Sequence, residues 1–199
     1  LFAGPDSLSP RVVQFFLVFH FFLAAWFSFR YLRYLKLSAE SSLLGAVIFA
    51  FSGFLVTHAI HLNFINVFVW LPLILEMFQR ALDTGRHRWA VLCALALGVS
   101  TMGGYPQYTL YICYVLGLQW LCHELEVHRE NGWSLSGTIK RLAVLVTVAA
   151  FGVGLNAFNW LPAAELARYT PRSSMTWEAP AEHSLHPLFL VKLLSPGFF

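Results

Sequence analysis

The chain has 199 residues, of which 58% are hydrophobic and 17% aromatic, while only 12% are Asp, Glu, Lys or Arg. A soluble domain averages about 45–50% apolar and about 25% charged residues, so a chain with half the usual charge cannot cover a water-exposed surface. A net charge of +3 without a dense Lys/Arg block excludes a nucleic-acid-binding module, and the apolar content excludes a disordered tail. What remains is an integral membrane protein.

A helix that crosses a bilayer needs about 20 apolar residues, with about 17 tolerated, and on that scale the sequence predicts about six spans. The first, 12–29, contains no Asp, Glu, Lys or Arg, and Ser9-Pro10 ahead of it is a helix start. The second covers 41–57. The third, 62–78, is interrupted only by Glu76. The fourth covers 87–102, the fifth 106–122 and the sixth 142–164, leaving 165–199 as a segment beyond the last span. The expected fold is therefore all-α, a polytopic transmembrane helix bundle forming one transmembrane domain over 1–199. The second to fourth runs are short, so a tilted or re-entrant second and third pair is an alternative. Leu1 at the start and Ser195-Pro196-Gly197-Phe198-Phe199 at the end give the expectation of an excerpt from a longer polytopic chain. Cys93, Cys113 and Cys122 lie in or beside apolar runs without a C-x-x-C pair, and read as small buried residues rather than a disulfide framework.

Connector charge sets the orientation. Arg30, Arg33 and Lys36 follow the first span, Arg80, Arg86 and Arg88 the third, and Arg129, Lys140 and Arg141 the fifth, which is nine of the 13 basic residues. The positive-inside rule puts these connectors in the cytoplasm and both ends of the chain outside. Tyr31, Tyr34, Trp89 and Trp120 fall at the inner interface, and Tyr105 and Trp160 at the outer one, as aromatic belts do. Glu76 precedes Arg80 by four residues, the favourable helical order. A snorkelling ion pair accounts for it simply, with a buried carboxylate in a proton path as the alternative. The inner connectors otherwise read as solvated loops whose charges serve orientation.

Most unusual polar residues fall on the expected outer side. His58 and His61 are three apart and can share a helical face, but a metal site needs three or four ligands and no H-e-x-x-H-type motif is present, so headgroup or backbone contacts are expected there rather than a metal. Gly103-Gly104-Tyr105-Pro106-Gln107 is either a tight hairpin turn or a turn whose bare N–H groups face an anion. Glu165, Arg168 and Arg172 follow the sixth span. The two arginines are four apart and would clamp a phosphate if the helix continued, or else form a solvated helix end with Glu165 as partner. Tyr105, Tyr108, Tyr111 and Tyr114 recur every third residue and read mostly as packing, with a sugar or lipid path lined by Tyr105 and Tyr108 as the alternative.

Several phrases also occur in a family-like order: Leu44-Gly45-Ala46-Val47-Ile48-Phe49-Ala50-Phe51-Ser52-Gly53-Phe54, then Trp70-Leu71-Pro72-Leu73-Ile74-Leu75. Gly103-Gly104-Tyr105-Pro106-Gln107 follows, then Leu161-Pro162-Ala163-Ala164-Glu165-Leu166 with Arg172-Ser173, and finally Ser195-Pro196-Gly197-Phe198-Phe199. In this order they resemble the YfhO-type bacterial membrane proteins, polytopic members of the GT-C glycosyltransferase superfamily. The resemblance implies transfer of a sugar from a polyprenyl-phosphate donor to an envelope polymer, glycolipid or protein acceptor, on the outer face of the cytoplasmic membrane and without a cofactor. The superfamily's acidic residue in the first outer loop has no counterpart here, and Asp6 is not given that role, so the catalytic residue stays unassigned. His58, His61, Gln107, Glu165, Arg168 and Arg172 are expected to bind substrate as one wall of the cleft. A transporter or lipid flippase, or a non-catalytic envelope-assembly protein, is the alternative. A conduit would place polar groups near mid-membrane, where only His20 and Glu76 qualify.

Overall fold

The structure is a computed structural model that describes residues 9–170, Phe189 and Val191. Its helices among those residues are α1 (Pro10–Tyr34), α2 (Ala39–Ala50), α3 (Gly53–Thr57), α4 (Leu62–Phe68), α5 (Leu71–Thr84), α6 (His87–Thr101), α7 (Pro106–Asn131), α8 (Leu135–Gly154) and α9 (Ala157–Ala167). No strand occurs among the described residues. The chain forms two units, Leu1–Asn159 and Trp160–Phe199. The first holds α1 to α8 and the start of α9, and the second holds the rest of α9.

Local chemistry explains where the helices begin and break. Ser9 Oγ accepts from Arg11 N at 3.3 Å, and Pro10 occupies the first turn of α1, where its missing N–H leaves no bond unmade. Ser38 caps α2 in the same way through Ser41 N at 3.2 Å. The segment expected as one second span is broken at Phe51-Ser52, because Ser52 caps a new helix by accepting from Leu55 N. The third is broken at Val69-Trp70: Pro72 has no N–H to give the carbonyl one turn back, so the helix restarts there as α5. The sixth begins earlier than expected, at Leu135, where Ser134 accepts from Gly137 N. It is then interrupted at Leu155-Asn156 before α9. Gly132, with φ of 75°, makes the turn between α7 and α8, a backbone region that L side chains rarely adopt.

Among the described residues, four segments are long and apolar enough to cross a membrane: Pro10–Tyr34, Ala39–Thr57, Leu62–Thr84 and Leu135–Gly154. The expected count of about six differs from this for two reasons. α6 has 15 residues, which at 1.5 Å each reach about 22 Å, short of the roughly 30 Å hydrocarbon core. α7 has 26 residues, but Gln107, Gln119 and three tyrosines dilute its apolar run. The surface of the described helices is nonetheless that of a membrane protein, with Phe15 72% exposed and Val18 69% exposed, a pattern that water does not tolerate over a contiguous area.

Within the first unit α5 is the central helix. Its Ile74, Met77, Phe78, Ala81 and Leu82 form a core with Val67 of α4, Cys93 and Leu97 of α6, Ile112 and Leu116 of α7, and Val148 of α8. A second cluster joins Ala24 of α1, Ala50 of α2, Leu55 of α3, and Ile65 and Val69 at the α4–α5 junction. Glycines set the approach of α6 to α8: a Cβ on Gly152 would lie 2.6 Å from Leu97 Cδ2, and one on Gly98 would lie 2.8 Å from Leu155 Cδ1. Small residues bring helix backbones close where lipid offers no hydrophobic drive for association. The cysteines only partly match the expectation, since Cys93 is buried, Cys113 half-buried and Cys122 exposed.

Cross-helix contacts show the alternation of ends that connector charge implies. Arg30 meets Glu76, Tyr34 meets Asp83, Arg80 lies on Trp89, and Arg141 meets Glu124, so the basic connectors gather at one end of the first unit. His58, Phe64, Tyr105 and Tyr108 gather at the opposite end.

Candidate functional site

At the histidine end, α3 is a single short turn whose carbonyls orient His58. His58 Nδ1 lies 2.9 Å from Phe54 O. A carbonyl only accepts, so Nδ1 carries the proton, and in the neutral ring Nε2 is left as an acceptor. Thr57 Oγ1 donates back to Gly53 O at 2.7 Å, closing the same turn. The ring of His58 stacks at 4.5 Å on Phe54 and at 4.9 Å on Phe64, while His61 sits 5.1 Å from Phe64 and 5.8 Å from His58. Among the described residues no group of three or more His, Cys, Asp and Glu is placed to hold a metal ion.

The start of α7 completes this surface. Phe64 packs against Tyr105 at 4.2 Å and Tyr108 at 4.6 Å, and Tyr108 also meets Phe68 at 4.9 Å and Phe54 at 6.4 Å. These separations lie within or just below the range of favourable aromatic pairs. Gln107 is exposed on the first turn of α7, where Nε2 donates to Tyr111 Oη at 2.5 Å, and Tyr111 is 5.7 Å from Tyr108. The platform is therefore apolar in its centre, with His58, His61 and Gln107 offering polar groups at its margin.

The turn beneath it is rigidly held. A Cβ on Gly103 would meet Val67 Cγ2 at 2.6 Å, and Gly104 takes φ of 79°, so both glycines serve a close turn. Ser100 Oγ donates to Val67 O at 3.0 Å, and the fully buried Asn156 donates from Nδ2 to Thr101 O at 2.8 Å. Asn159 Nδ2 in turn donates to Asn156 Oδ1 at 2.8 Å. Buried polar groups matched in this way fix one geometry, because an unmatched partner would bear its full desolvation cost.

Glu165 and Arg168 are exposed in the second unit, with Arg168 N donating to Glu165 O at 3.1 Å. α9 ends at Ala167, so Arg168 follows the last helical turn rather than lying within it. Arg172 lies outside the described residues.

The arginine-rich end contains a network that its solvated-loop reading missed. Glu76 is wholly buried, and its Oε1 accepts from Arg30 Nη2 at 3.1 Å and from Arg80 Nε at 3.0 Å, with Arg80 Nη2 at 2.9 Å. The expected Glu76–Arg80 pair is present, and it belongs to a triad in which the carboxylate is buried and both arginines are partly exposed. α1 supplies the second arginine, from a position too distant along the chain for helical spacing to reveal. The Arg80 guanidinium also lies 4.2 Å from the Tyr34 ring and 4.8 Å from the Trp89 ring, and such contacts strengthen when shielded from water.

Beside the triad, Gln119 Nε2 donates to Gln79 Oε1 at 2.9 Å, Gln79 Nε2 donates to Asp83 Oδ1 at 2.9 Å, and Tyr34 Oη donates to Asp83 Oδ2 at 2.5 Å. His123 Nδ1 lies 3.7 Å from Asp83. Farther along α7, Glu124 accepts from Arg141 and from Thr138 Oγ1, the latter at 2.8 Å. The Arg141 hydrogen bond, more than the opposing cost of burial, holds the Glu124 carboxyl below its ordinary value. The readable sequence signals here were the i, i+4 pairs Glu76–Arg80 and Gln79–Asp83.

The family described as "Bacterial membrane protein YfhO" matches residues 1–199. No curated protein and no solved structure matches the chain. Apolar helices, alternating charged ends and a family match over the whole chain agree with one another, and the protein is a member of the YfhO family of bacterial membrane proteins.

Proposed function

We propose that this chain forms part of a membrane glycosyltransferase that moves a sugar from a polyprenyl-phosphate donor to an envelope polymer, glycolipid or protein. The membrane is the bacterial cytoplasmic membrane, with the histidine end facing outward. Nine basic residues in the opposite connectors support that orientation. The observation that carries the activity is the platform of Phe54, Phe64, Tyr105 and Tyr108 edged by His58, His61 and Gln107. A sugar presents a C–H face that packs on aromatic rings and hydroxyls that need polar partners, and an apolar site with a few placed polar groups serves both.

In this reading the polyprenyl tail stays in the bilayer and its phosphate remains at the interface. The sugar lies on the platform, where His58 Nε2 accepts from a hydroxyl. Arg168 and Arg172 stabilise the phosphate as it gains charge on leaving, and Glu165 orients an arginine or contacts a hydroxyl. The catalytic base is not assigned to any of these residues. The test is labelled-sugar transfer by the full-length protein. His58→Leu and Tyr105→Ala are each expected to lower turnover at least tenfold, and Arg168→Ala or Arg172→Ala similarly. Unchanged rates in the first two would remove the platform, and unchanged rates in the last two would remove the clamp.

A transporter or lipid flippase is the second reading, favoured by the buried Glu76 triad and the Gln79–Asp83–Gln119 network. Intramembrane ionisable groups often mark a path. Reconstituted vesicles separate the two: donor consumption without lipid flux supports transfer, and flux without consumption supports transport.

A further inference from the structure

The arginine-rich end holds a recess that sugar transfer at the other end leaves unused. Phe29, Arg30, Arg33, Tyr34, Glu76 and Arg80 line a cleft of about 400 Å³ between α1 and α5. Three guanidinium groups and one carboxylate line it, so the lining residues carry a net positive charge. The Glu76 side chain is only 1% exposed, whereas Arg30 is 38% and Arg80 29% exposed, so an incoming group meets cations and not the carboxylate.

These cations are held in place. Arg80 is bonded to Glu76 and flanked by the rings of Tyr34 and Trp89. Arg30 gives Nη2 to Glu76, and Arg33 gives Nη1 to Leu37 O at 2.6 Å. A guanidinium has five N–H donors in a fixed fork, so Arg30 and Arg33 keep most of theirs for a further acceptor. The geometry suits the oxygens of a phosphate.

The surface leading to the recess says what carries that phosphate. Phe15, Val18, Phe19, Phe22 and Trp26 are exposed along one stripe of α1, and the same spacing of three and four residues continues to Arg30 and Arg33. A soluble anion would use the arginines and leave the stripe bare. We propose that this cleft binds the phosphate of an anionic glycerophospholipid whose acyl chains lie along the exposed stripe of α1. Basic pockets at the ends of transmembrane helices are suited to such headgroups.

The test titrates purified full-length protein, in an uncharged detergent, with dioctanoyl-phosphatidylglycerol, dioctanoyl-phosphatidylcholine and inorganic phosphate. Phosphatidylglycerol is expected to bind saturably and at least tenfold more tightly than either of the others. Arg33→Gln leaves the Glu76 triad intact and is expected to weaken that binding about tenfold, the size of one charge-assisted hydrogen bond. Arg33→Glu should abolish it. Equal affinity for the two lipids, or an unchanged affinity in both Arg33 variants, overturns the proposal. Inorganic phosphate binding as tightly as phosphatidylglycerol would assign the cleft to a soluble phosphate and overturn the lipid.

Discussion

Replacing Glu76 with Gln preserves side-chain size and removes the one negative charge between Arg30 and Arg80. The Oε1 atom accepts N–H contacts of 2.9 to 3.1 Å from these two residues, and Oε2 is buried without a partner. A carboxylate meets each guanidinium with both partners charged and an amide oxygen with only one, so the change costs about 1 kcal/mol per arginine at these partly exposed sites. The amide nitrogen takes the place of Oε2, which is already buried without a partner, so one unmatched polar atom replaces another. Water reaching the partly exposed arginines keeps each contribution modest, and the sum is about 2 kcal/mol, below the roughly 3–5 kcal/mol of breaking a fully buried ion pair. The assay is reversible unfolding of the purified protein in mixed micelles, run as a double-mutant cycle with Arg80→Gln. A coupling energy of about 1–2 kcal/mol is expected for residues in direct contact. Glu76→Gln within about 0.5 kcal/mol of wild type, or additivity of the two changes to within the same margin, would refute the triad as a stabilising element.

Three further substitutions probe other parts of the fold. Gly152→Ala places a Cβ 2.6 to 2.9 Å from three side-chain atoms of the fully buried Leu97, and thermal unfolding in detergent should show a loss of about 1–3 kcal/mol. Gly117→Ala, with open space around it, should instead gain up to about 1 kcal/mol from helix propensity, and equal effects at both glycines would contradict the close α6–α8 approach. The lowered Glu124 carboxyl gives a pH signature: its contribution is complete above the ordinary value of 4.5 and is lost as pH falls through the lower folded value. Wild type should therefore exceed Glu124→Gln in unfolding free energy at pH 7, with the difference shrinking below about pH 4.5, and a pH-independent difference would count against the Arg141 contact.

The candidate platform was legible only in outline. His58, His61 and Gln107 stand out as polar residues beside apolar runs, and Tyr105 and Tyr108 flank the glycine turn. Nothing in their spacing shows that Phe64 lies between His58 and both tyrosines, because those contacts depend on how α4 and α7 are rotated toward each other. The helix breaks carried clearer signals in Ser52-Gly53 and Pro72, and became visible once backbone hydrogen bonding was considered over single turns.

The sequence by itself determined the membrane class, the helical content, the gathering of basic connectors at one end, and the Glu76–Arg80 pair. All of these follow from composition or from residues within one helical turn, where covalent geometry fixes the separation. Only the tertiary structure decided that Arg30 is the second partner of Glu76, across 46 positions of chain. It likewise decided that Phe64 meets Tyr105 and Tyr108 across α4 and α7, and that Gly98 and Gly152 bring α6 against α8. Contacts of that kind depend on the relative rotation and depth of separate helices, which packing selects and local periodicity leaves open.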